Sequence, residues 1–160
     1  MIPLLIIKKQ MMTQLIYSDR IELLHDKSIL QWFNHQCLNH GTTLKGTMDA
    51  LRFHLKVRQK IPICLNIMQR IMYFPLTINE LEIWILYDQN ANIRRCDVHT
   101  ILTIHNMVFK FPLDGRVIKR QLQRCKTYLD TFYRPSMISS SSHIKESLVS
   151  EYLIKSSANF

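Results

Sequence analysis

His35-x-Cys37-x-x-His40 is the chain's nearest approach to a metal cluster, since imidazole and thiolate are zinc ligands. It is one ligand short. On a helix His35 and Cys37 also lie two positions apart and do not share a face, so the residues read as structural and no metal or cofactor is expected. Asp97-Val98-His99 offers one carboxylate beside one imidazole, with no nucleophile or second carboxylate at a spacing that acid–base chemistry uses. Three glycines, at 41, 46 and 115, leave no Gly-x-Gly-x-x-Gly run and no Walker loop to cradle phosphates. These patterns assemble no catalytic site, and the expectation is that the chain is not an enzyme.

The cationic residues point elsewhere. The 160 residues carry 21 Lys and Arg against 12 Asp and Glu, a formal charge of +9, with a pI near 9.6. Between 45 and 60 stand Lys45, Arg52, Lys56, Arg58 and Lys60 with one acid, Asp49; between 116 and 126 stand Arg116, Lys119, Arg120, Arg124 and Lys126 with none. Acid-poor clusters suit phosphate contacts, because each cation that neutralises a phosphate releases a counterion. Lysine and arginine also enter a narrow A-tract minor groove, where the negative potential is enhanced. A solvated helix face is the competing explanation for either cluster, and two in one small chain favour binding of a polyanion. The candidate DNA-binding residues are Lys45, Arg52, Lys56, Arg58 and Lys60 first, then Arg116, Lys119, Arg120 and Arg124. Arg124 is set last because it can instead pair within the fold.

Cys37, Cys64, Cys96 and Cys125 form no Cys-x-x-Cys pair, which excludes a zinc ribbon and a thioredoxin-like motif. They are expected to pack as small apolar thiols in a reducing compartment, the cytoplasm. At the front, Met1 to Ile7 is a short apolar run followed by Lys8-Lys9, the reverse of a signal peptide and too short to span a bilayer, so no membrane partner is expected.

Elements must position these residues. Residues 1–11 read as a leader ahead of Met12, with a β-compatible Thr13-Gln14-Leu15-Ile16-Tyr17 behind it. Ser28 can cap a helix carrying Ile29, Leu30, Trp32, Phe33 and Cys37, with Gly41 as its stop. From Thr43 a second helix places Leu44, Met48, Leu51 and Leu55 on one stripe and Lys45, Arg52 and Lys56 on its edge, ending at Lys60-Ile61-Pro62. Gly46 suggests a late start or a kink. Strands follow at 63–67, 71–74 before Pro75, and 82–87, then a hairpin of 100–104 and 107–111 around His105-Asn106. After Pro112-Leu113-Asp114-Gly115 a last long helix runs to about Tyr133, with Val117, Leu122, Cys125, Leu129 and Phe132 as buried candidates. The fold class expected is α+β, one domain over 12–134: a mainly antiparallel sheet beginning after residue 62, packed with two N-terminal helices and one C-terminal helix. Residues 135–160 read as a serine-rich linker and a short amphipathic tail with Ile144, Leu148, Tyr152 and Leu153, either frayed or partner-binding.

The order of certain residues carries further information. Cys37-Leu-Asn-His-Gly41-Thr-Thr-Leu-Lys-Gly46, then Lys60-Ile61-Pro62-Ile63 and Tyr73-Phe74-Pro75, resembles the competence transcription factor family, ComK, in which Cys-x-x-x-Gly-Ser-Ser-x-x-Gly precedes Lys-Pro-Pro-Ile and Phe-Pro-Thr. Trp84-Ile85, the hairpin at His105-Asn106, and Pro112 followed by Gln121 and Arg124 are similar to later landmarks of that family, so that the resemblance covers about residues 28–132. Where the family often has Gly-Arg, this chain has Gly46-Thr47, which removes one phosphate contact. The front before Cys37 also looks shorter. The resemblance implies a bacterial activator that binds AT-rich double-stranded DNA from the minor groove, as a bending multimer, and switches on DNA-uptake genes in the nucleoid. Its implied partners are that DNA, further copies of the chain, and RNA polymerase or a paralogous regulator. Two other readings stay open: the helices around Gly41 as a helix-turn-helix in a major groove, and a paralogue that modulates a full-length regulator without binding DNA.

Overall fold

An apolar run without alternation is what a strand buried on both faces requires, and Leu4-Leu5-Ile6 is such a run. In the computed structural model, which describes residues 1–132, it becomes an interior strand. The elements in chain order are β1 (Leu5–Lys9), β2 (Met12–Ile16), β3 (Ile21–Leu23), α1 (Ile29–Asn39), α2 (Leu44–Leu55), β4 (Ile63–Asn66), β5 (Ile71–Ile78), β6 (Leu81–Leu86), β7 (Asn92–Cys96), β8 (His99–Ile104), β9 (Met107–Phe111) and α3 (Gly115–Phe132). Six strands form an antiparallel sheet in the order β3-β2-β1-β6-β5-β4, and three more form a second, β7-β8-β9.

The α+β class and its three helices agree with the sequence reading. The sheet does not begin after residue 62, however: half of the larger sheet lies before α1. The stretch expected as a leader supplies β1, which pairs with β2 on one side and with β6 on the other, Ile6 opposite Leu15 and Trp84. The expected boundary at residue 11 falls in the turn between β1 and β2. The Ser-rich linker and the amphipathic tail lie outside the described residues.

Ser28 caps α1 through a reciprocal pair: its hydroxyl accepts from the Gln31 N–H at 3.1 Å, and the Gln31 side-chain carbonyl accepts from the Ser28 N–H at 2.9 Å. Gly41, at φ 81°, takes the left-handed conformation that ends the helix. The buried face of α1 carries Trp32 and Phe33 onto Tyr73 and Trp84, edge to face, with Phe33 to Trp84 at 4.9 Å and Phe33 to Tyr73 at 5.4 Å between ring centres. The other face of the sheet contributes Phe74, Leu76, Ile83 and Ile85 to a core that also includes Leu102, Ile104, Phe111 and Ile118.

Three local differences from the sequence reading have physical causes. Helix α2 stops at Leu55 because Lys56 turns left-handed (φ 54°), so 57–60 is a loop and not helix. Gly46 produces no late start; its N–H donates to the Thr43 hydroxyl at 3.0 Å and completes the cap. Pro75 does not end a strand but lies inside β5, opposite Trp84. β4 pairs only with residues 71–73 of β5, so from Phe74 onward that side of β5 has no strand beside it, and the proline's missing donor interrupts no ladder. The His105-Asn106 hairpin forms as expected. Both residues have positive φ (46° and 66°), which makes the turn type I′.

In α3 the buried face is Ile118, Gln121, Cys125, Tyr128 and Leu129. Cys125 and Leu129 were expected there; Val117 and Leu122 are only half-buried and Phe132 is exposed. The stripe is rotated because two polar side chains, Gln121 and Tyr128, occupy core positions. No helix among the described residues is long and apolar enough to cross a membrane.

If β1 is integral, deleting residues 1–11 leaves β2 and β6 without their shared neighbour. The expected outcome is loss of the cooperative thermal transition followed by circular dichroism. A shortened chain that melts within a few degrees of the full one would show β1 to be dispensable.

Candidate nucleic-acid interface

The two basic clusters meet at one buried amide. Gln121, only 2% exposed, donates from Nε2 to the carbonyls of Lys60 and Pro75, both at 3.0 Å, and its Oε1 accepts from Arg124 Nη1 at 3.3 Å. The same Arg124 nitrogen reaches the Lys60 carbonyl at 3.3 Å and that of Gln59 at 3.5 Å. The loop that closes the first cluster is therefore fastened to the middle of α3, which carries the second. A ring contact adds to this, His54 of α2 against Tyr128 of α3 at 6.0 Å. Arg116, Arg120 and Arg124 are spaced four apart and so share one ridge of α3.

Within this arrangement the nine candidate cations fall into three groups. Lys45 and Arg52, on the exposed face of α2, both pair with Asp49, at 3.2 and 3.4 Å. Arg116 pairs with Asp114 at 2.8 Å. The second cluster is thus not free of acid: Asp114 stands two residues ahead of the first arginine. Hydrogen bonds from Arg116 hold the Asp114 carboxyl down at about 2, so it is ionised at neutral pH. Arg124 is bound to backbone carbonyls, as the sequence reading allowed. Lys56, Arg58, Lys60, Lys119 and Arg120 have no acidic partner among the described residues. Exposed pairs are worth about 0–1 kcal/mol, so the paired cations can exchange a carboxylate for a phosphate cheaply, but Asp49 and Asp114 still repel an approaching polyanion. The five unpaired residues have no such opposition.

Arg95 was missed by the sequence reading. It lines, with Arg116, Lys119 and His99, an open hollow of about 490 Å³ beside the start of α3. Its signal was the Arg94-Arg95 pair in an otherwise ordinary strand. Position 47, where an arginine was expected to give a phosphate contact in related chains, points inward here: Thr47 is buried and its hydroxyl donates to the Cys64 carbonyl at 2.8 Å.

The His35/Cys37/His40 pattern does not assemble. Cys37 is fully buried, His40 Nδ1 lies 3.2 Å from Asn66 Nδ2, and no group of three metal-ligating side chains occurs among the described residues. Burial pushes the Cys37 thiol up, and pushes Cys64 up to about 12 with a smaller contribution from Cys37; Cys125 is raised for the same reason. All four cysteines are free thiols.

With this geometry in place, comparison with known families is decisive: a family model described as "ComK protein" matches residues 1–134. The chain belongs to the ComK family. No curated protein and no solved structure matches. Membership places the chain with the competence transcription factors, a family that is not enzymatic. The match takes in residues 1–11 as well as the landmarks between 28 and 132. It also gives two of those landmarks a physical role, since Gln121 and Arg124 are the residues that join α3 to the loop at Gln59-Lys60.

Two measurements test this account of a ComK-family chain. Gln121→Leu keeps the volume but strands the Pro75 carbonyl and leaves that of Lys60 to Arg124 alone, and should lower unfolding stability by about 1–3 kcal/mol in a denaturant titration; an unchanged midpoint would remove the junction. A disulfide reagent at pH 8 should modify one thiol quickly, the half-buried Cys96, and all four only in denaturant. Rapid reaction of Cys37, Cys64 or Cys125 in the folded chain would contradict their burial.

Proposed function

We propose that this chain is a competence regulator that binds AT-rich duplex DNA through the cationic strip formed by Arg58, Lys60 and Lys56 with Arg120 and Lys119 of α3. The observation that carries the reading is the Gln121 junction, which fastens the end of the first cluster to the helix that carries the second, more than fifty residues away. Lys45, Arg52 and Arg116 contribute at its margins, where they exchange acid partners for phosphates; Arg124 acts mainly by holding the loop. Family membership supports the rest: approach from the minor groove, assembly of several copies on successive boxes, bending of the duplex, and activation of DNA-uptake genes in the nucleoid, with RNA polymerase as the downstream partner.

Binding to AT-rich and GC-rich duplexes across a salt series tests this directly. The AT-rich duplex should bind more tightly, with log affinity falling linearly in log salt. Arg58→Ala, Lys60→Ala and Arg120→Ala should each lower the slope by about one, and Lys45→Ala by less. A minor-groove drug should displace the protein. Insensitivity to the drug together with loss of binding on major-groove methylation would instead assign the helices around Gly41 to a major groove. Absence of binding by the chain alone, with an altered shift when a paralogous regulator is added, would make it a modulator.

A further inference from the structure

Phe53 is the most exposed phenylalanine among the described residues, at 77%. It lies on α2 two positions after the fully buried Leu51, hence roughly 200° around the helix and on the outward side. Its neighbours on that side are mostly cationic: Arg52 precedes it, Lys56 follows one turn later, and Arg58 and Lys60 continue in the loop, with Asp49, already paired with Arg52, one turn behind. Among the described residues the ring is left largely uncovered. The ring meets His54 edge on, at 5.1 Å and 86° between planes, and His54 itself rests against Tyr128 of α3. The ring is therefore backed from one side by a stack anchored in α3 and projects from the strip just described.

A single exposed apolar residue is common on protein surfaces. What sets this one apart is its position among cations that a phosphate backbone would engage on both sides. An α-helix about 10 Å across cannot enter a minor groove about 6 Å wide, whereas one projecting side chain can. Apolar side chains held in this way slip between base steps, unstack them and kink the duplex. We infer that Phe53 is a wedge that inserts between base pairs of the bound duplex from its minor groove, with Arg52, Lys56 and Arg58 holding the flanking phosphates. This rests on the proposed binding of AT-rich DNA and adds to it the residue that bends the duplex.

The test uses the full chain and an AT-rich duplex labelled at both ends for energy transfer, with 2-aminopurine at successive steps to report unstacking. For the unsubstituted chain, bending and a rise in 2-aminopurine fluorescence at one step are expected. Phe53→Ala should abolish both and weaken binding about tenfold, within the range for loss of one aromatic–base stack, while the salt slope stays unchanged because the phosphate contacts remain. Phe53→Trp should restore the bend. An alanine variant that bends and binds as well as the unsubstituted chain overturns the wedge and leaves the binding reading intact. Failure of the unsubstituted chain to bind overturns both. A fall in melting temperature for the alanine variant, with no recovery of the bend by tryptophan, would make Phe53 a structural residue and also overturn the inference.

Discussion

The side-chain amide of Gln121 fixes how the basic parts of this chain are arranged. Both of its donors and its acceptor are used, on two backbone carbonyls and one guanidinium. The Pro75 carbonyl it satisfies exists because β4 is too short to cover the rest of β5, leaving an open flank that a backbone donor does not reach. The Lys60 carbonyl exists in that place because Lys56 breaks α2 left-handed and the chain turns back across α3. A short strand, an early helix end and a polar residue in a core stripe look like separate irregularities. Together they form one joint, and a buried amide with all its partners is more stringent about geometry than an apolar contact of the same size.

The same joint shows why net charge was a poor guide to individual residues. Asp49 engages two cations and Asp114 a third, through contacts set by helix spacing and by the start of α3. Three of the residues without acid partners, Lys56, Arg58 and Lys60, lie in the segment that α3 holds through Gln121 and Arg124. A window drawn along the sequence from 116 to 126 could not see Asp114 just outside it, nor that Gln121 and Arg124 bind the backbone at Lys60.

Much of the fold was legible where local chemistry decides the outcome. Ser28 announces α1, Gly41 ends it, and the alternation on either side of His105-Asn106 gives the hairpin. The misreadings came where tertiary context outweighs local pattern. The start of β1 has no alternation because Leu5 and Ile6 are both buried, and with two lysines after it the apolar run looked like a leader. β7, with its Arg-Arg pair, has too little apolar content to read as a strand. The α3 stripe was placed one position off because glutamine and tyrosine are not expected inside. For the candidate site the residue types were readable, and their sorting into engaged and available cations was not, since that depends on partners distant in sequence.

The place of β1 in the sheet also bears on the order in which the chain can fold. Its pairing with β2 is local, but its pairing with β6 joins Ile6 to Trp84, and that loop closes only after α1, α2, β4 and β5 have been made. Long-range pairing of this kind carries the loop-closure entropy that slows folding. During synthesis from the N-terminus, β1 and β2 leave the ribosome as a hairpin with an open, apolar edge and wait for the strand that will cover it. A central strand of the larger sheet is thus made early and is among the last completed, and in that interval the nascent chain is exposed to aggregation and to proteases.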